Sequence, residues 1–315
     1  MINGIVSRLA IFSFIGWLAA CQGVSPTGAS NPVAGVIWDV GAGRAVTRDE
    51  LLQAALGAHF LLLGETHDNP HHHRIQAELL RDLLAAGARP ALAMEQMDAE
   101  QQLAIDGTLM HAETTSDAVA DAGHFNRKSW DWPQYEPLIA TAVEAHLPIL
   151  ALNLSRGEAR QVAAAGFNTL GTARVARLGL DTTWNAARDV IMGREIANGH
   201  CDKLPNNLLP GMVRAQRARD AVMADALLAG AATINVAIVG RGHARRDVGV
   251  PLYLAARAPH AKVISIGLTE VTPGSENQSV DHVDESNGRQ FDYLWFTLPA
   301  HRDDPCRDLA FPAAR

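Results

Sequence analysis

The stretch Phe60-Leu61-Leu62-Leu63-Gly64-Glu65-Thr66-His67-Asp68-Asn69-Pro70-His71-His72-His73 decides how this chain is read: four apolar residues run without a break into a cluster of carboxylate, imidazole and amide side chains. A short apolar run of this kind reads as a strand buried on both faces that delivers Glu65 and His67 at its C-terminal end. Asp68 or Asn69 can cap the helix that follows, with Pro70 in the first turn, where its missing N–H costs nothing. Ligands of open α/β sheets collect in the crevice outside the carboxyl ends of the strands, so any other strand that ends in polar groups bears on the same place.

Three others do. Ala91-Leu92-Ala93-Met94 leads into Glu95, Pro148-Ile149-Leu150-Ala151-Leu152 into Asn153 and Arg156, and Ile234-Asn235-Val236-Ala237-Ile238-Val239 into Gly240-Arg241-Gly242-His243. If the four strands are parallel neighbours, Glu65, His67, Glu95, Asn153, Arg156 and His243 meet on one rim. A polar residue ends most strands for no chemical reason, but two Glu and two His on four ends exceed that background.

Around this centre the chain alternates strand and helix. Val36–Val40 reads as a first strand. Thr47 and Glu50 have capping-box spacing at the start of a helix through Leu56. Pro70–Ala86 carries an apolar stripe at Ile75, Leu79, Leu80, Leu83 and Leu84 and stops at Gly87. Residues 98–128 look like helical segments outside the sheet, a lid, and a helix starting near Trp130 runs to His146. Helical periodicity then fills roughly 157–230. Val263–Leu268 is another buried strand, 272–289 a polar loop and Phe291–Thr297 an edge strand. The expected fold class is α/β: a mostly parallel central sheet covered by helices on both faces, with a helical insertion.

The N-terminus reads differently. Arg8 precedes the apolar segment Leu9–Ala20, which ends Leu18-Ala19-Ala20-Cys21. That segment is too short to span a bilayer and has the shape of a secretory signal core. Small residues before a Cys resemble the bacterial lipobox, in which Cys21 is lipidated and begins the mature chain. Gln22 stands where an inner-membrane retention signal has Asp, so the expected location is the bacterial cell envelope, lipid-anchored at the outer membrane. Residues 1–20 are then a signal peptide, 21–32 an uncharged Gly/Ser/Pro-rich tether and 33–315 the folded domain. The chain carries 27 basic and 34 acidic residues, an acidic balance that argues against nucleic acid as a partner. Cys201 and Cys306 remain in the domain, and an oxidising compartment favours a disulfide between them that ties down the C-terminal tail.

Three chemistries fit these residues. His67, His71, His72 and His73 suggest a metal, yet Pro70 separates His67 from the helix and consecutive His point about 100° apart around it. A site drawn from Glu65, His67, Glu95 and His243 across strands is the better divalent-metal candidate, with mixed N/O donors. A hydrolase would use the same four residues, one as general base, with Arg156 or Arg241 stabilising an oxyanion. No Gly-x-Ser-x-Gly elbow, P-loop or Rossmann glycine fingerprint is present. A porphyrin would need an apolar slot, cations for its propionates and an axial ligand. Of the three tyrosines, Tyr253 and Tyr293 lie in apolar runs, whereas Tyr135 sits beside Trp130 and Trp132 as either a ligand or an aromatic packing corner.

The ordered set Leu63-Gly64-Glu65-Thr66-His67-Asp68-Asn69-Pro70-His71-His72-His73, Ala93-Met94-Glu95, Trp132-Pro133-Gln134-Tyr135-Glu136-Pro137-Leu138, Ala151-Leu152-Asn153-Leu154-Ser155-Arg156, His200-Cys201, Gln216-Arg217-Ala218-Arg219-Asp220 and Gly240-Arg241-Gly242-His243 resembles the ChaN-like haem-binding lipoproteins. The tail Phe291–Thr297 and Asp304-Pro305-Cys306 also looks like that family's ending. The resemblance implies an α/β domain with a helical cap that binds haem, often as a homodimer enclosing two haems, and serves haem or iron uptake with an envelope haem receptor. It implies Tyr135 as the axial ligand of the haem iron, with His67, Asn153, Arg156, His200, Arg219 and His243 around the ring, and it supports the Cys201–Cys306 pairing. ChaN-like proteins also look distantly similar to the erythromycin esterase and Tiki/TraB group, in which Glu65, His67, Glu95 and His243 would match a catalytic or metal site. A metal-dependent hydrolase is therefore the alternative.

Overall fold

A computed structural model describes residues 33–271, 290–304 and 306–307. The signal segment, the lipobox with Cys21, the whole 21–32 tether and the 272–289 loop lie outside the described residues. In chain order the elements are β1 (Ile37–Asp39), β2 (Arg44–Val46), α1 (Arg48–Leu56), β3 (Phe60–Glu65), α2 (Pro70–Ala85), β4 (Ala91–Asp98), α3 (Gln102–Leu109), α4 (Ser116–Ala122), α5 (Trp132–Glu144), β5 (Ile149–Asn153), α6 (Arg156–Ala165), α7 (Thr172–Leu178), α8 (Ala186–Gly199), α9 (Leu209–Ala229), β6 (Asn235–Gly240), α10 (Val250–Arg257), β7 (Val263–Glu270) and β8 (Tyr293–Thr297). The local signals behave as their chemistry requires. Thr47 and Glu50 close a reciprocal capping box, and the Asn69 side chain accepts the His71 N–H ahead of Pro70.

The strands form one sheet in the order β2-β1-β8-β7-β3-β6-β4-β5. From β8 to β5 neighbouring strands are parallel, and β1 pairs antiparallel with both β8 and β2. Each central strand is buried on both faces, with alternate residues serving different cores. Leu61 and Leu63 of β3 and Val236 and Ile238 of β6 pack with α2 and α5. Phe60 and Leu62, with Ala237 and Val239, pack on the other face with α6, α9 and α10.

This topology creates the site. The chain runs β3, β4, β5 in one direction along the sheet with helices on one face, then returns through β6 and β7 with helices on the opposite face. Right-handed crossovers that reverse direction must change face. Because β6 inserts between β3 and β4, the connections leaving adjacent strands diverge to opposite faces. A crevice opens at their carboxyl ends, the topological switch point where α/β proteins bind ligands.

Two expectations are corrected here. The strand at 293–297 is not an edge: β8 lies between β1 and β7, because the hairpin near residue 40 pairs with it and caps the sheet. The helices between 98 and 128 are not a detached lid. Ile105, Val119, Ala120 and Phe125 are buried in the same core as β3 and α2.

Candidate functional site

Parallel register places Glu65 beside Gly240, and the β3, β6 and β4 ends surround a cleft of about 890 Å³. Glu65, His67, Glu95, Asn153, Arg156, His200, Arg219 and His243 all line it. Tyr135 does not.

Glu65 is the most heavily bonded group. It is 2 % exposed. Its Oε1 accepts from the Tyr135 hydroxyl at 2.5 Å, from His67 Nδ1 at 2.9 Å and from Gln96 Nε2 at 3.4 Å. Its Oε2 accepts from Gln76 Nε2 at 2.7 Å. Burial alone would raise its pKa, but the His67 bond, the nearby His73 and the Tyr135 hydroxyl outweigh it and hold the carboxyl below the usual range.

His67 stands over Gly240, with its side chain 44 % exposed and its ring edge-on to Trp130 at 4.7 Å. A Cβ at position 240 would lie 2.8 Å from His67 Cε1 and 2.9 Å from Nε2, so only glycine lets the imidazole settle here. Crowding lowers the His67 pKa and the bond to Glu65, with Glu95 behind it, raises it; the net direction is up. Its Nδ1 is committed to Glu65, which leaves Nε2 as the ring atom available to a ligand.

A second carboxylate–histidine group faces the first. His243 Nδ1 lies 2.6 Å from Asp220 Oδ1, and its Nε2 lies 3.4 Å from Glu95 Oε1. Gln216 Nε2 reaches the same ring at 3.1 Å. Glu95 Oε2 accepts the Gly240 N–H at 2.6 Å. Burial opposes charge on His243, yet Glu95 and Asp220 together raise its pKa to about 10. Burial likewise opposes ionisation of Glu95, but His243 brings it down to about 2. Asp220, wholly buried, is pushed up to about 6 because desolvation exceeds what His243 returns.

Tyr135 lies behind this centre. It is 0 % exposed, packed against His73, Phe125 and Trp130, with its hydroxyl on Glu65. Burial and the Glu65 charge raise its pKa, the opposite of what a phenolate ligand needs. In this arrangement the phenol presents no oxygen to the cleft, which runs against its expected role as axial ligand. Tyr253 is also wholly buried.

The histidine tract divides three ways. His71 contacts Arg74 at the surface. His72 and His73 are buried, His72 between the Thr66 N–H and Thr297 Oγ1 and His73 on the His67 carbonyl. Among the described residues no group of three or more His, Cys, Asp or Glu is placed to hold a metal ion. The rest of the wall carries Arg156, Arg219, Arg241, Arg245 and Arg302, with Asp98 and Glu195, beside the apolar Trp130, Leu154, Met192, Ile196 and Val248; Arg245 is paired with Glu195 and Asp247. Arg219 donates to Asn153 Oδ1 and the Leu154 carbonyl, which fixes its guanidinium at the end of β5.

The tail closes the rim. Arg302 pairs with Asp68, next to His67, and with Glu270, while Asn69 donates to Glu270 and to the Leu298 carbonyl. Four residues after Arg302, Cys306 is joined to Cys201, next to the cleft residue His200. The expected disulfide is present and links the loop after α8 to the tail, whose Arg302 in turn pairs with Asp68 in the turn that carries His67.

Sequence reasoning did not single out Gln76 or Arg245, and it quoted Gln216 and Asp220 within a motif without giving either a role in the site. Gln76 was detectable as a polar residue on the otherwise apolar stripe of α2. Asp220 is the charged member of the buried face of α9, among Ala218, Ala221, Val222, Met223 and Ala224.

A comparison with curated protein sequences returned no match. Among solved structures, a protein described as cofacial heme binding to ChaN of Campylobacter jejuni is 20 % identical, with a TM-score of 0.66 over 82 % of this chain and 95 % of that one, a likeness of fold. A mutant of the erythromycin esterase EreC in its open conformation is 12 % identical, with a TM-score of 0.46 over 87 % of this chain and 99 % of that one. The type III effector HopBA1 is 14 % identical, with a TM-score of 0.44 over 80 % of this chain and 93 % of that one. A family profile described as haem-binding uptake, Tiki superfamily, ChaN matches residues 51–254. With that match spanning most of the domain that carries the cleft, the chain belongs to the ChaN family of haem-binding uptake proteins.

Proposed function

We propose that this protein binds an iron porphyrin in the cleft at the carboxyl edge of its sheet and serves haem or iron uptake at the bacterial envelope. The observation that carries the reading is the pairing of one available imidazole nitrogen, His67 Nε2, with an arginine-lined, partly apolar cleft of about 890 Å³. That volume falls within the range of small-molecule sites, about 300–1,000 Å³. His67 would be the axial ligand, with Glu65 behind its other nitrogen as in the carboxylate–histidine pairs that orient metal-binding imidazoles. Arg156 and Arg219 would take the propionates, while Arg245 and Arg302 are already paired with Glu195 and Asp247 and with Asp68 and Glu270; Trp130, Met192, Ile196 and Val248 would meet the ring. Bound haem would supply an iron centre open to transfer. The lipobox at Cys21 supports anchoring to the outer membrane, and the cofacial heme binding described for the Campylobacter jejuni protein is in keeping with haem as the ligand here.

The test is a haemin titration of the purified domain followed by the Soret band. A saturable shift is expected in the wild type, with its loss in His67→Ala and weaker, more salt-sensitive binding in Arg219→Ala. A wild-type spectrum identical to free haemin refutes the reading.

A second reading rests on the same dyad. Glu65 and His67 form an acid–base pair beside arginines suited to an oxyanion, which supports a hydrolase using Glu65, His67, Glu95 and His243. Ester turnover abolished by both Glu65→Gln and His67→Ala would support it, and turnover unchanged in either would not.

A further inference from the structure

We propose that Tyr135 and Gln76 are positioning residues: they lock the Glu65 carboxylate in place, and Glu65 in turn holds His67 as the Nδ1–H tautomer with a bare Nε2 over Gly240. The assignment concerns the ligand-free chain. Only its consequence for iron rests on the haem reading.

The geometry supplies each link. A carboxylate can only accept, so the 2.9 Å contact between Glu65 Oε1 and His67 Nδ1 requires the proton to sit on Nδ1. When the ring is neutral, Nε2 then carries a lone pair. An isolated carboxylate at the end of a strand would rotate and could reach His67 from several directions. This one is held from both sides: the Tyr135 hydroxyl meets Oε1 at 2.5 Å from α5, and Gln76 Nε2 meets Oε2 at 2.7 Å from α2. The two donors come from different helices, packed on the same face of the sheet. Tyr135 is itself fixed by contacts with His73, Phe125 and Trp130, and Trp130 also packs edge-on against His67. The Tyr135 hydroxyl is thus spent on orienting a group that orients the imidazole. A tyrosine serving only as a packing corner would not need its oxygen 2.5 Å from a buried carboxylate.

The deciding experiment is nitrogen NMR of isotope-labelled histidine in the ligand-free protein, at a pH where the His67 ring is neutral. The wild type is expected to show Nδ1–H. Tyr135→Phe, which keeps the ring and removes only the hydroxyl, is expected to shift His67 toward a mixture containing Nε2–H. Gln76→Leu, acting from the other helix on the other oxygen, is expected to do the same, so one poorly folded variant does not leave the question open. His67 remaining Nδ1–H in both folded variants would overturn the proposal. With haemin bound, both variants are expected to retain a Soret band while haemin affinity falls about 10- to 100-fold, the usual cost of losing an outer hydrogen-bond partner. The ferric/ferrous potential should move upward as the imidazole loses basicity. A Soret band lost entirely in Tyr135→Phe, with the His67 tautomer unchanged, would instead return the tyrosine to the role of ligand. A wild type that binds no haemin would remove the functional reading while leaving the tautomer result to decide this one.

Discussion

Acidification is expected to loosen the turn that carries His67, and His72 sets the size of the effect. Its Nδ1 accepts the Thr66 N–H and its Nε2 donates to Thr297 Oγ1, each at 2.8 Å, so both ring nitrogens serve a neutral tautomer. The side chain is fully buried, and desolvation brings its pKa from 6.5 down to about 3. The unfolded chain therefore takes up a proton that the folded chain refuses. The stabilisation is complete above pH 6.5 and is lost as pH falls from 6.5 toward 3. Each pKa unit is worth about 1.36 kcal/mol, so lowering the pH to about 4 should cost about 3 kcal/mol through this residue. The assay is denaturant unfolding at neutral pH and at about pH 4 for the wild type and His72→Gln, whose amide keeps one acceptor and one donor but cannot take the proton. The wild type should lose about 3 kcal/mol more than the variant over that interval. Equal losses in the two proteins would refute the account.

Gly240→Ala is expected to push His67 off its seat, since the added methyl would lie 2.8 Å from Cε1. Haemin binding should be lost while the chain still folds, at a cost of about 1–3 kcal/mol typical of overpacking; retained binding would show that His67 is dispensable. Cys201→Ser removes a cross-link spanning 105 residues and should lower unfolding stability by about 2–4 kcal/mol, measured against the oxidised wild type. Because the same bond holds the loop beside His200, the variant should also release haemin faster, seen as quicker transfer to a competing haem acceptor.

The rim of the sheet was legible because strand ends have a local signature: an apolar run that stops at Glu65, Glu95, Asn153 or Gly240 announces both its burial and its exit. Convergence followed from the parallel architecture without knowledge of strand order. What lay behind the rim was harder to read. Tyr135 sits at a helix start between tryptophans, a pattern shared by ligands and packing corners, and only the crossing of α5 behind β3 aims its hydroxyl at Glu65. Asp220 acts on a histidine 23 residues later through the packing of α9 near the end of β6, a relation with no sequence period. The misplaced edge has the same cause. β8 is interior because a hairpin some 250 residues earlier pairs with it, and strand propensity cannot see a partner at that distance.

The arrangement of the tail sets when one wall of the cleft is fastened. Cys306 emerges from the ribosome long after Cys201, and Arg302 reaches Asp68 only once that last segment has arrived. Until then the mouth has one wall unfastened. In a chain assembled in this order the fastening of the mouth is the last contact to form, because both the Cys201–Cys306 bond and the Arg302–Asp68 pair wait for the final segment.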